Sequence, residues 1–418
     1  MGIHAWIKRK RFFAKNSWIY RLYQEVKRIN QIPGNAYTLQ KLNEIKTYAI
    51  HHCKFYSQFS PEDAFPVMTK LDFINYKDEI CSDEVFDQPL HTTSTSGSTG
   101  VPFVVNQDFL KRSRTIADLK VYGEYAGYKS HEKMLQLRAY NGKTLDRSVD
   151  RRENIWRYDI SYLNDENMPQ FISFVKKWKP KIIFGYVSTL EMICDFILNN
   201  GQEYDFGCKS VLVGAEMLSA QTAEKIKKVF RCPVYDRYSN MEMGIYAQRE
   251  YGKSNFIINK ASYYFEVLKL DSDESAEEHE IGRLVFTDLH NHAFPMIRYD
   301  TGDVGSYCMN NGNMELEIVY GRRVDAVYNA TGKMISPHSI TNGMWGVRNV
   351  AQWQFVQLDH GTYLLKISAA GPVDEEDILS RLKAQVGETA KVRLEYVDEI
   401  PVLRSQKRKY IVNAMTGR

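Results

Sequence analysis

The sequence lacks the features that define several large classes of protein. Nowhere in its 418 residues does an apolar run approach the ~20 consecutive residues of a membrane-spanning helix. The N-terminus lacks the apolar core of a secretory signal, and the six cysteines form no C-x-x-C pair. These absences argue against an integral membrane protein, a zinc knuckle and a disulfide framework. They predict a cytoplasmic protein with reduced thiols.

Candidate metal ligands are also scarce. His51, His52 and Cys53 are consecutive, but adjacent residues of a helix point in different directions and are poorly placed to share one ion. His290 and His292 flank a turn, where we expect them to be solvated or to line a pocket rather than to bind a metal. Residues 246–264 contain neither Cys nor His, so we expect no structural zinc there.

What is present is the composition of an ordinary globular protein, with 44% apolar and 25% charged residues. The chain exceeds the ~250 to 300 residues at which single hydrophobic cores stop growing. Two domains are therefore expected.

Charge is concentrated at the N-terminus. Residues 1–31 carry eight basic side chains and one acidic one, Glu25, interleaved with aromatic and aliphatic residues. Residues 1–35 are thus a basic amphipathic segment. Either the segment packs on the body with a solvated basic face, which we favour, or it rests on an anionic membrane surface. No nucleic-acid-binding signature accompanies the charge, so we do not expect nucleic acid as a partner.

The hydrophobic pattern divides the chain into four parts. Residues 1–90 favour helices, and residues 91–230 alternate short apolar runs with helix-like segments, as do β-α units that feed a largely parallel sheet. Strand-rich hairpins follow, and then a smaller pattern begins after residue 321, with strands near 353–357, 362–368 and 391–397 and a helix near 373–386. The fold class predicted is α/β, with a large α/β domain over residues 1–321 and a small α+β domain over residues 322–418.

A hydroxyl-rich stretch precedes the first predicted strand of the α/β part. Residues 91–102, HTTSTSGSTGVP, hold seven hydroxyl side chains and two glycines and run into a strand predicted at 101–105. Such a loop can turn backbone amides and hydroxyls towards phosphate oxygens. It lacks the lysine of the common P-loop. Alone, it is open to two interpretations, a phosphate-binding loop or a linker.

Further motifs follow in order. They are Gly214-Ala215-Glu216, Tyr238-Ser239-Asn240-Met241-Glu242, Arg298-Tyr299-Asp300-Thr301-Gly302-Asp303, Gly321-Arg322-Arg323-Val324-Asp325 and Ser405-Gln406-Lys407-Arg408-Lys409. Over residues 40–418 this set resembles the adenylate-forming superfamily, and in particular the phenylacetate-CoA ligase-like family with its branch of capsular polysaccharide biosynthesis proteins. The resemblance implies a large N-terminal domain of adenylate-forming type and a small mobile C-terminal domain.

The resemblance also implies a role for each motif. The loop residues Thr95, Ser96, Gly97, Ser98, Thr99 and Gly100 would bind the β- and γ-phosphates of ATP, and Gly214, Ala215 and Glu216 would line the adenine pocket against Tyr238. Glu242 would hold Mg²⁺, while Asn240 would reach the α-phosphate. Asp303 would accept the ribose hydroxyls, and Arg322 would reach the ribose or phosphates.

Lys407 would bridge the substrate carboxylate and the α-phosphate, and the small domain would bring it in. Lys409, Arg404 and Arg408 are rival cations, so the identity of the catalytic lysine is open at this stage. A basic tail exposed to solvent is the competing interpretation.

The function expected from this resemblance is a two-step ligase. A carboxylic acid and ATP would give an acyl-adenylate and pyrophosphate, and an acceptor would then capture the acyl group. Coenzyme A is the acceptor that the family implies, and an amine or hydroxyl of a sugar, amino acid or glycan precursor is the alternative. A nucleotide-binding homologue without turnover, and a transferase that uses the loop for another phosphate, are the remaining hypotheses.

Overall fold

The computed structural model describes residues 2–95, 103–140, 145–250, 252–322, 327–332, 334–335, 340, 343–344, 347–401 and 410–415. Within this part of the chain the helices are α1 (Ile3–Lys15), α2 (Ser17–Gln31), α3 (Ala36–His52), α4 (Lys70–Asn75), α5 (Lys77–Ile80), α6 (Phe109–Tyr125), α7 (Arg147–Glu153), α8 (Met168–Trp178), α9 (Val187–Asn199), α10 (Ala220–Phe230) and α11 (Glu375–Val386).

The strands of the same residues are β1 (His91–Thr95), β2 (Phe103–Gln107), β3 (Met134–Arg138), β4 (Ile155–Asp159), β5 (Ile182–Gly185), β6 (Ser210–Gly214), β7 (Val234–Ser239), β8 (Ile245–Arg249), β9 (Phe256–Ile258), β10 (Tyr263–Leu268), β11 (Gly282–Asp288), β12 (Tyr299–Asn310), β13 (Asn313–Arg322), β14 (Val327–Tyr328), β15 (Met334–Ile335), β16 (Val350–Asp359), β17 (Thr362–Ala369), β18 (Lys391–Tyr396) and β19 (Ile411–Asn413).

One large sheet organises the N-terminal part. Its strands, as far as the chain is described, run in the order β10-β11-β12-β13-β9-β8-β7-β6-β5-β3-β4. The half from β4 to β7 is parallel and the other half is antiparallel. Every residue of β6 is buried, as expected of a parallel strand that is covered on both faces. The predicted mixed α/β fold is therefore confirmed.

Two cores cover the parallel half. On one face α8, α9 and α10 bury a cluster that includes Leu135, Ile183 and Val213. On the other face Tyr128 packs with Ile182 and Leu212. The sheet is thus fixed on both sides, and its strand ends are left to carry chemistry.

The first strands differ from expectation. β1 and β2 do not join the large sheet but form their own antiparallel pair, with His91 opposite Gln107 and Thr95 opposite Phe103. The hydroxyl-rich stretch therefore begins as a strand, and the parallel β-α pattern starts only at β3. Alternating hydrophobicity identifies a strand but not its partner, which is why the sequence pattern placed this pair wrongly.

The N-terminal segment packs on the body, as favoured above. Arg9 and Lys27 both reach Glu124 of α6, at 2.6 and 3.3 Å. Val26 is fully buried in a cluster with Ala117 and Val121. In the described part of the chain no helix combines the length and the apolarity that crossing a membrane requires.

A second sheet follows residue 327. It has the order β18-β17-β16-β19 among the described strands, and α11 buries Ile378, Leu382 and Val386 in a cluster with strand residues such as Phe355 and Leu365. These elements agree with the sequence pattern for this region. The domain boundary at residue 321 remains a prediction.

Candidate active site

The carboxyl ends of β5, β6 and β7 lie side by side because the three strands are parallel. In open α/β sheets this edge is where ligands bind. Gly214 ends β6, and the next residue, Ala215, has a positive φ of 67°, which is uncommon for a residue with a side chain. The chain turns sharply at this point, so the predicted Gly214-Ala215-Glu216 motif lies at the edge where a ligand would bind.

Tyr238 and Asp303 meet across this edge. The Tyr238 hydroxyl donates a hydrogen bond to Asp303 Oδ2 at 2.7 Å and lies 3.2 Å from Thr301 Oγ1. Burial raises the pKa of Tyr238 well above its usual value, and the Asp303 carboxylate raises it further. The tyrosine therefore stays protonated and donates to a carboxylate that sequence analysis assigned to the ribose.

Asn240 and Glu242 lie in the turn after β7. The Asn240 side-chain oxygen accepts from the backbone N–H of Met243 at 2.8 Å, and its amide donates to the Tyr246 hydroxyl at 2.8 Å. Asn240 thereby shapes the turn itself. Its amide retains a second proton that a phosphate oxygen could accept.

Glu242, in the same turn, is nearly buried. It is 7% exposed, and its backbone oxygen accepts from Gln107 Nε2 of β2 at 3.2 Å. Lys70 Nζ of α4 lies 3.7 Å from Glu242 Oε1. A nearly buried carboxylate is a suitable oxygen ligand for Mg²⁺, and the Lys70 ammonium would compete with the metal for it.

Glu216 has a second task that sequence analysis missed. Its carboxylate accepts from the backbone N–H of Ser188 at 2.7 Å and from the Ser188 hydroxyl at 2.9 Å. Ser188 is in the first turn of α9, so Glu216 caps that helix and satisfies donors that would otherwise lack partners. This contact links the β6 edge to α9.

Several predicted site residues fall outside the described part of the chain. Ser96, Gly97, Ser98, Thr99 and Gly100 lie there, and so does Lys407. Thr95 is the last residue of β1. The backbone of Arg322 pairs with Asp303 in the β12–β13 register, which brings two predicted ribose contacts to neighbouring strands.

His290 differs from expectation. Rather than being solvated, it is 5% exposed and its Nε2 lies 3.0 Å from the backbone oxygen of Ala261. Burial lowers its pKa well below the usual value, so it is a neutral core residue. Within the described ranges no group of three or more His, Cys, Asp or Glu side chains is arranged to hold a metal.

Two arginines at the same edge were also missed. Arg138 ends β3 and Arg237 precedes Tyr238 in β7, and both guanidinium groups stack on the Phe184 ring of β5, at 5.1 and 5.6 Å from its centre. Each arginine is a charged residue within a strand of a largely buried sheet, and this was the signal by which the sequence could have pointed to it. The meeting of the two arginines depends on the strand order, which the sequence does not reveal.

The fold is the one found in adenylate-forming ligases. The 2-hydroxyisobutyryl-CoA ligase in its postadenylation state, bound to R3-HIB-AMP, superposes with a TM-score of 0.72 at 16% identity, covering 91% of this chain and 89% of that one. The score is 0.56 for the thioesterification state of the ligase. ATP-bound MatB from Rhodopseudomonas palustris scores 0.56 at 14% identity, over 76% of this chain and 66% of that one.

The sequence comparisons are more specific. Residues 327–414 match the family described as the CapK C-terminal domain. Protein CapK of Staphylococcus aureus is 24% identical over 439 residues, covering 96% of this chain and 94% of that protein. The resemblance expected from the motifs, to adenylate-forming ligases and to the capsule-type branch, is confirmed.

Proposed function

We propose that this protein is an ATP-dependent, AMP-forming ligase that activates a carboxylic acid as an acyl-adenylate and passes the acyl group to an acceptor. The observation that carries the proposal is the Tyr238–Asp303 hydrogen bond, with Glu242 in the turn that follows Tyr238. Tyr238 and Asp303, which the sequence resemblance assigns to adenine and ribose, are thus in direct contact, and Glu242, assigned to the metal, follows in the next turn. The similarity to ligases captured with acyl-AMP supports this proposal.

In the first step, the residues 1–321 would bind both substrates. Asp303 would accept hydrogen bonds from the ribose hydroxyls while Tyr238 holds its second oxygen in place. Adenine would lie by Gly214, Ala215 and the Tyr238 ring, and residues 95–100 would contact the β- and γ-phosphates. Asn240 would offer its remaining amide proton to the α-phosphate.

Charge must be neutralised as the carboxylate attacks the α-phosphorus and pyrophosphate leaves. Glu242 would hold Mg²⁺, which when bound withdraws charge from the phosphates. Lys407 and Arg322 would supply further positive charge from residues 322–418. Removal of Lys407 by rotation of this smaller part would then expose the adenylate to its acceptor.

The direct test is exchange of labelled pyrophosphate into ATP with a panel of carboxylic acids. We expect acid-dependent exchange that Lys407→Ala and Glu242→Ala each reduce by at least roughly a hundredfold, which corresponds to the loss of one charge-stabilising group. Lys409→Ala and Arg408→Ala serve as matched controls for Lys407. A wild-type protein that exchanges pyrophosphate with no acid in a broad panel would contradict the proposal and favour a non-catalytic nucleotide-binding protein.

The acceptor is a separate question. Coenzyme A is one candidate, as the ligases of similar fold are CoA ligases. The relationship to Protein CapK favours the second candidate, an amine or hydroxyl of a sugar, amino acid or glycan precursor. Release of AMP with free CoA, compared with release with amino sugars, would separate the two.

We also propose that the protein works in the cytoplasm and that the outer face of the packed N-terminal segment makes peripheral contact with an anionic membrane. Residues 1–31 carry eight basic groups against one acid, although the whole chain has a net charge of only +4. Trp6 and Trp18 are 47% and 39% exposed, and Lys10 and Arg21 lie over their rings at 4.1 and 5.4 Å. Exposed tryptophan beside cations suits a lipid interface.

Co-sedimentation with vesicles tests this contact. Binding to phosphatidylglycerol-containing vesicles, lost in Trp6→Ala/Trp18→Ala and absent with pure phosphatidylcholine, is the expected result. Equal sedimentation with and without the anionic lipid would contradict it.

A further inference from the structure

The two arginines on Phe184 form an unusual cationic group. Arg138 lies 5.1 Å and Arg237 5.6 Å from the ring centre. Two positive charges that share one aromatic ring repel each other, and the ring compensates only part of that cost. Such an arrangement calls for an anion.

Arg237 is the more deeply buried of the two arginines. It is 6% exposed, and the hydrogen bond recorded for it among the described residues runs from Nε to Gln248 Oε1, at 2.9 Å. Burial, and then the charge of Arg138, lowers its pKa to about 9. A buried guanidinium without a counter-ion lowers the free energy of unfolding by roughly several kcal/mol.

Arg114 shows what a structural arginine looks like in this protein. Its guanidinium is fully buried, and it lies 2.7 Å from Glu25 Oε1 and 3.0 Å from Ser262 Oγ. Neither Arg138 nor Arg237 forms an ion pair with a carboxylate in the described ranges. The sequence outside those ranges contains one acidic side chain, Asp325.

The arginine pair adjoins the proposed adenylate site. Gly214, which the proposal places at the adenine, lies between Arg237 and Phe184. Arg237 also directly precedes Tyr238 in β7, and the two side chains point to opposite faces of the sheet. A Cβ at position 214 would be 3.6 Å from Phe184 Cε2 and 3.9 Å from Arg237 Cβ. The same Cβ would be 3.2 Å from the Arg237 backbone oxygen, so the glycine allows β6 and β7 to approach closely beside the Phe184 ring.

The surroundings are polar and aromatic. The positive charge of Arg138 acts on the Tyr140 and Tyr186 hydroxyls, although burial of the two tyrosines outweighs it and raises their pKa values. Tyr140 donates to Gln136 Oε1 at 3.3 Å. This edge thus presents two cations, two tyrosine hydroxyls and the Phe184 ring. An acid with a purely hydrocarbon chain would leave the charges of Arg138 and Arg237 unpaired.

We propose that the acid activated by this protein carries a second anionic group, and that Arg138 and Arg237 bind it. This inference rests on the proposed ligase function, because it concerns the acid of the same reaction. The reacting carboxylate would lie towards the α-phosphate, and the second anionic group, a carboxylate in a dicarboxylic acid, would accept hydrogen bonds from the two guanidinium groups. Arginine suits this task because its planar fork matches a carboxylate.

The test is acid selectivity in pyrophosphate exchange. Straight-chain dicarboxylic acids from malonate to adipate are compared with their monoamides and with monocarboxylic acids of the same length. We expect the best dicarboxylic acid to have a KM at least roughly tenfold below that of its monoamide, as charge-assisted hydrogen bonds are about twice as strong as neutral ones. Arg138→Gln and Arg237→Met should remove this preference, and the solvent-facing Arg152→Gln should keep it.

Monoamides or monocarboxylic acids that work as well as the dicarboxylic acid, with Arg138→Gln unaltered in selectivity, would overturn the inference and leave the ligase function intact. If no acid supports exchange, thermal stabilisation by the dicarboxylic acids decides. If a dicarboxylic acid stabilises the wild type but not Arg138→Gln, the anion site is supported and the ligase proposal is contradicted. If no dicarboxylic acid stabilises the wild type, both proposals are contradicted. Arg138 is only half-buried, so this variant remains informative if Arg237→Met does not fold.

Discussion

Tyr238 donates a 2.7 Å hydrogen bond to Asp303 and so joins β7 to β12, two strands far apart in the sheet order. The bond fixes the direction in which the Asp303 carboxylate points. Thr301 supports the same group, because its hydroxyl accepts from the Asp303 N–H at 3.2 Å, donates to Leu284 O at 2.9 Å and lies 3.2 Å from the Tyr238 hydroxyl. The position of Asp303 is therefore set before any nucleotide binds.

We expect Tyr238→Phe to raise the KM for ATP about fivefold to tenfold, the usual effect of losing one hydrogen bond. Asp303→Asn should cost more, about 2 to 3 kcal/mol, because charge-assisted bonds to the ligand are lost. Titration of ATP in the exchange assay measures both. Equal effects of the two variants would contradict the supporting role of Tyr238.

The cap on α9 predicts a different pattern for Glu216. Glu216→Ala removes the acceptor for both the N–H and the hydroxyl of Ser188 and should lower the free energy of unfolding by about 1 to 2 kcal/mol, as loss of a helix cap does. Ser188→Ala, which removes only the hydroxyl, should cost less. Urea unfolding measures the loss. If the free-energy change calculated from the KM for ATP exceeds the change in the free energy of unfolding, the adenine-pocket role inferred from the sequence is favoured.

The contrast between these residues shows what a sequence conveys. Gly214, Tyr238 and Asp303 could be proposed as site residues because their motifs occur in a fixed order, and the alternation of strands and helices predicted the parallel part of the sheet. The capping by Glu216 depends on where α9 begins in space. The meeting of Arg138 with Arg237 depends on β5 and β6 lying between β3 and β7. Contacts of this kind are set by strand order and packing, which hydrophobic periodicity does not encode.

Tyr410 connects the two parts of the chain. Its hydroxyl donates to Glu191 Oε2 of α9 at 2.7 Å, and it is three residues beyond Lys407 in the sequence. If residues 322–418 deliver the lysine, this bond stabilises the arrangement in which they do so. Tyr410→Phe should then slow pyrophosphate exchange about fivefold, equivalent to about 1 kcal/mol.

Tyr396→Phe is the matched control for Tyr410→Phe. Tyr396 donates to Glu375 at 2.7 Å within the C-terminal sheet and its helix, so the same kind of bond is lost without a link to α9. Exchange should be unchanged in this variant. Equal slowing of exchange in the two variants would show that the Tyr410 effect is a general loss of stability.

Lys120 of α6 makes the stability of the protein depend on pH. It is 8% exposed, its Nζ lies 3.9 Å from the centre of the Phe12 ring, and burial lowers its pKa from 10.5 to about 8. Between pH 8 and 10.5 the unfolded state therefore binds more protons at this position than the folded state, so the free energy of unfolding contributed by Lys120 rises with pH across that window. The increase should approach about 1 kcal/mol per pH unit, and Lys120→Met should remove it.

Urea unfolding between pH 7.5 and 10 measures the difference between wild type and variant, with Lys10→Met as a solvent-exposed control that should follow the wild type. Parallel pH profiles for wild type and Lys120→Met would show that the contact with Phe12 keeps the ammonium charged despite its burial.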